Sequence, residues 1–91
     1  MQGEIVELPC YMVTGARNTA YHACAFACTR KAVPIGIATD SGELFLLLTE
    51  SNNPEPYEAA QQLAGGRAQL TGRVISKRGV ASLIVESAEA W

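Results

Sequence analysis

The sequence predicts a mainly β domain with two helices, folded as a small five-stranded Greek-key barrel with a helical insertion between strands 1 and 2. Three observations lead there. Strand-like and helix-like stretches follow in the order strand, helix, two-strand hairpin, helix, two-strand hairpin. Residues 53 to 66 read as a helix with clear punctuation at both ends. A long alternating stretch, Arg67 to Lys77, carries a mid-strand glycine at Gly72, where small barrels need a sharp bend.

Taken in order, Ile5, Val6, Leu8 and Tyr11 predict a first strand, with Pro9 late in it as a kink or edge position. Residues 14 to 18 are turn material, and Asn18 or Thr19 can cap a helix over about 18–31. Arg30 and Lys31 suit the negative end of its dipole. Pro34 and Gly36 close that helix and open the strand Ile35 to Ala38. Asp40-Ser41-Gly42 turns the chain into Leu44 to Thr49, a run apolar at both parities that implies cover on both faces.

Asn53 is placed to cap the next helix, with Pro54 at its first position, Glu55 and Glu58 in its first turn, and Gly65-Gly66 beyond its end. Over about 54–64, Tyr57, Ala60, Leu63 and Ala64 share one face, enough to plug a barrel. In the next strand Ala68, Leu70, Val74 and Ser76 face one side, and Arg67, Gln69, Thr71, Arg73 and Lys77 the other. Arg78-Gly79 turns into a last strand, Val80 to Glu86, and Trp91 is expected to fold back as a cap. A helix between the third and fourth of five strands is the order of an OB-like barrel. Residues 1–91 form a single OB-like domain, with no repeat or linker.

Composition narrows the function classes. A chain of 91 residues with 48% hydrophobic and 18% charged residues belongs to a folded globular domain. A formal net charge of -2 and a pI near 5.2 argue against general affinity for nucleic acid or anionic lipid. No apolar run approaches the ~18 residues of a membrane-crossing helix. The N-terminus, Met1-Gln2-Gly3-Glu4, has neither the basic nor the apolar region of a signal peptide. Three cysteines cannot all pair with one another, whereas a metal site needs no even count.

The segment from Cys10 to Cys28 holds every cysteine and the one histidine. Cys24 and Cys28 are spaced i, i+4, which puts both thiols on one face of a helix. Cys10, Cys24, Cys28 and His22 would make a Cys3His set suited to zinc, and two or three thiolates suit Cu(I). In a continuous helix His22 points about 160° from Cys24, so it joins the set only if the helix begins at or after it. Two other arrangements fit the same residues. Cys10 can form a disulfide with Cys24 or Cys28, leaving one free thiol, or all three cysteines can simply pack as small apolar side chains.

The residues Gly3-Glu4-Ile5-Val6-Glu7, Cys10-Tyr11, His22-Ala23-Cys24-Ala25, Cys28 and Pro34-Ile35-Gly36 resemble a pattern of small extracytoplasmic bacterial domains. The stretch from Gly66 to Glu89 resembles the closing hairpin of bacterial OB-type domains. The Cys24-x3-Cys28 pair also looks locally like that of copper chaperones for cytochrome oxidase assembly, although Thr29 stands where those have proline. These resemblances imply a periplasmic or extracytoplasmic mature chain without a signal peptide; a cytoplasmic setting fits the residues too.

Other chemistries find little support. Arg67, Arg73, Lys77 and Arg78 can form a basic track for a single strand, but without interleaved aromatics they read more simply as a solvated face. A cysteine nucleophile with His22 as base would lack an orienting third group, and no glycine-rich phosphate loop is present. The expected function is therefore non-enzymatic: a domain holding zinc or copper through Cys10, Cys24, Cys28 and His22, as a structural site or a metal carrier or sensor. The alternative is a metal-free OB module for a single strand, glycan or protein partner.

Overall fold

The computed structural model describes residues 1–14 and 33–91. Five strands close into a barrel: β1 (Gln2–Glu7), β2 (Ile35–Thr39), β3 (Leu44–Leu48), β4 (Arg67–Lys77) and β5 (Val80–Ala90). Around the barrel the order is β1-β2-β3-β5-β4, with β4 returning to β1. The β3–β5 pair is parallel and the other pairs are antiparallel. One parallel pair in an otherwise antiparallel closed sheet makes this an OB-like Greek-key barrel. Helix α1 (Leu8–Thr14) follows β1 directly, and α2 (Glu55–Gln62) joins β3 to β4.

Alternation places the core. Ile5, Ile35, Ile37, Phe45, Leu47, Ala68, Leu70, Leu83 and Val85 point inward and are buried. The in-register pair Ile5 and Ile37 shows how β1 and β2 contribute to one layer. Helix α2 closes one end: Ala60 is buried, and Tyr57, Leu63 and Ala64 pack against the core as their shared face predicts. That partial burial pushes the Tyr57 hydroxyl above the ordinary tyrosine pKa.

Two local devices let so short a chain close. At Thr71/Gly72 the β4–β5 register shifts, and a Cβ on Gly72 would lie 1.9 Å from the Ile84 carbonyl oxygen. Only glycine fits that bend, the one expected from the sequence. At the tip of the same hairpin Arg78 and Gly79 take φ values of 51° and 85°, and positive φ at both central positions matches the strands' right-handed twist.

Several expectations change. A helix does stand between β1 and β2, but the described one, α1, occupies residues assigned from sequence to the end of strand 1. Pro9 explains the difference: a proline in the first helical turn gives up an N–H that would have no partner there anyway. The helix expected over about 18–31 lies outside the described residues. Glu55 begins α2 with Pro54 as its N-cap and no side-chain cap, so Asn53 does not perform that role. β3 buries Phe45 and Leu47 but leaves Leu44, Leu46 and Leu48 half-buried, so its second face is not fully covered. β5 continues to Ala90, and Trp91 is 61% exposed instead of capping the barrel. Its backbone N–H still donates to the Arg67 carbonyl at 3.2 Å.

Candidate functional site

β1 ends and α1 begins without a connecting loop, so the first helical turn is fixed to the barrel wall. The Leu8 N–H donates to the Pro34 carbonyl at 3.0 Å, tying the start of α1 to the approach to β2. The Leu8 side chain lies over Gly36, where an added Cβ would come within 2.9 Å of its Cδ2. This anchoring carries Cys10 into a buried position, 1% exposed. Val6, Cys10 and Val33 are all buried yet stand outside the cluster that fills the barrel, because Val6 has the opposite parity to core Ile5.

Cys10 is disulfide-bonded. Cys24, Cys28 and His22 lie outside the described residues, so Cys10 is the one member of the expected ligand set that the structure places. A disulfide sulfur carries no thiolate charge, and soft metals bind the thiolate. In this redox state Cys10 is therefore a cross-link. Among the described residues no three His, Cys, Asp or Glu side chains converge as a metal-binding group.

Two buried carboxylates flank the site on β1, and neither was singled out from sequence. Glu7, 3% exposed, is in register with core Ile35 at the last paired position before α1, and Glu4 is 8% exposed. The field of Glu4 adds to the raised pKa of Arg67, whose main cause is the hydrogen bond to Asp40. The two glutamates have opposite parity on β1, Glu7 with core Ile5 and Glu4 with Val6, and all of Gly3 to Glu7 is buried.

Two residues of the basic track, Arg67 and Arg73, are held in ion pairs. Arg67 grips Asp40 through two parallel contacts of 2.9 and 2.7 Å. Arg73 bonds Glu50 and, at 3.2 Å, Glu86. Among the described residues, one shallow cleft lies at the β2–β3 turn near Gln2, Asp40 and Glu43, and another between α2 and β5 near Glu55 and Glu86. Neither holds a cysteine or a histidine; in the first, the exposed Ser41 hydroxyl donates to the Glu43 carboxylate at 3.1 Å. Among the described residues no helix is long and apolar enough to cross a membrane.

No protein-family model, curated protein or solved structure matches this chain.

Proposed function

We propose that this chain is a small binding domain whose chemistry is centred on Cys10. In the reduced state it holds one transition-metal ion, zinc or copper, through Cys10, Cys24 and Cys28, with His22 as a further ligand. The observation that carries this reading is the disulfide at Cys10. A disulfide requires a second sulfur at bonding distance from Cys10 Sγ. On reduction, two thiols so placed need only small movements to share one ion at metal–sulfur distances of about 2.3 Å. Oxidation and ligation then exclude one another at the same sulfurs, and the occupied state depends on redox poise.

Zinc would give the site a structural role. Copper would make the domain a carrier or sensor. An extracytoplasmic compartment fits a chain in which a disulfide persists.

A second reading has its own support in the burial of Cys10 at 1% exposure. Here the disulfide is a permanent staple on an OB module that binds a single strand, glycan or protein partner. Variants separate the two. Under the metal reading Cys24→Ser and Cys28→Ser each lower zinc or Cu(I) affinity of the reduced protein at least tenfold, and His22→Ala lowers it less. Equal metal affinity in wild type and both cysteine variants would reject the metal site and leave the staple.

A further inference from the structure

The outer surface of the β3–β5–β4 sheet carries more apolar side chain than barrel closure requires. Register defines it. Leu46, Ser82 and Ile75 form one row across the three strands, and Leu48, Ile84 and Arg73 form the next. Leu44 and Val80, two residues before Leu46 and Ser82, share their parity, and Val80 pairs with Lys77. Six large apolar residues, Leu44, Leu46, Leu48, Ile75, Val80 and Ile84, thus sit on a face that does not line the core. Five are half-buried and Val80 is 53% exposed. A one-sided antiparallel sheet ordinarily shows polar residues there, and this face departs from that pattern.

We infer that this face is the docking surface for a second copy of the same chain. Charge decides the occupant. One end of the face carries Glu50 and Glu86, which share the single cation of Arg73 and leave an acidic excess. The other end carries Lys77, with Arg78 beside it in the turn, and among the described residues neither forms an ion pair. A two-fold axis lying in the contact plane, perpendicular to the strands at the middle of the face, would set the basic end of each copy over the acidic end of the other. The face is its own electrostatic complement, the requirement of an isologous dimer.

Three strands about 4.8 Å apart and five residues long present a patch of roughly 15 by 15 Å. That is the apolar centre of a small interface, well below the ~800 Å² per partner of stable complexes, so the dimer is weak and concentration-dependent.

Sedimentation of the full chain with free thiols alkylated, from about 10 μM to 1 mM, tests this. The apparent mass should rise from the 9.7 kDa monomer toward twice that value. Leu46→Glu should weaken association at least tenfold. Lys77→Glu and Glu86→Lys should each self-associate at least threefold more weakly than wild type, while an equimolar mixture of the two recovers a heterodimer, both charge contacts being restored. Lys77 and Glu86 are exposed, so these variants keep the fold even if Leu46→Glu does not. A monomer at every concentration overturns the inference. So does a dimer indifferent to Lys77→Glu and Glu86→Lys, or a mixture no stronger than its separate components.

Discussion

Replacing Gly72 with alanine tests whether the barrel closes through the bend at the Thr71/Gly72 register shift. The added Cβ would sit 1.9 Å from the Ile84 carbonyl oxygen and 2.9 Å from its carbon. Carbon–oxygen contacts in sheets are comfortable at about 3.3 Å, so backbone must move by roughly 1.4 Å. The obstruction is ladder backbone and cannot rotate away as a side chain would. Forced overpacking costs about 1–3 kcal/mol, and loosening one or two ladder hydrogen bonds adds about 1 kcal/mol each. A loss of about 3 kcal/mol lowers the melting temperature by roughly 12–24 °C in a domain of this size. Gly66→Ala is the control, because its Cβ meets nothing closer than 3.4 Å. Thermal unfolding followed by circular dichroism gives both values. Melting of Gly72→Ala within about 3 °C of wild type would refute the closure argument.

Further outcomes follow from the same structure. Asp40 is held below the ordinary aspartate pKa by its hydrogen bonds to Arg67, with a smaller direct charge attraction acting in the same sense. Its contribution is complete above the unfolded value of about 3.9 and disappears as pH falls through the lower folded one. Asp40→Asn should flatten the acid limb of a stability–pH profile, and an unchanged limb would show that the pair carries no linkage. Reducing the Cys10 disulfide without metal should lower stability by about 3 kcal/mol, because a loop of 15 to 19 residues is released whichever partner cysteine closes it. Differential scanning calorimetry with and without reductant measures the loss; coincident transitions would mean that the cross-link does not constrain the unfolded chain.

Much of the scaffold was legible because its signals are local. The bounds of β4, the tight Arg78-Gly79 turn and the inward face of α2 follow from alternation, paired positive-φ positions and a helical stripe. The failures have separate causes. Residues 8–13 looked strand-like because Leu8 and Tyr11 continue an apolar pattern, and a single proline had to decide between an irregular strand and a first helical turn. β3 looked covered on both faces because parity cannot distinguish intramolecular cover from a surface reserved for another molecule. Trp91 pointed inward only by the general habit of tryptophan, and its backbone contact with Arg67 leaves the ring outside.

The candidate site was half legible. Sequence marked Cys10 as a residue of consequence but could not choose between thiolate and disulfide, since that choice depends on a second sulfur reaching the start of α1. The buried carboxylates of Glu4 and Glu7 escaped notice because a short strand with three polar residues does not reveal that both its faces are covered.

The most direct test of the Cys10 site is metal stoichiometry in two redox states of one preparation. The protein is reduced, freed of reductant under anaerobic conditions, incubated with zinc or Cu(I), desalted and assayed for metal and accessible thiols. The reduced form should retain about one ion per chain with its thiols protected, and the oxidised form should retain none. A reduced protein with three titratable thiols and no bound metal would contradict the account.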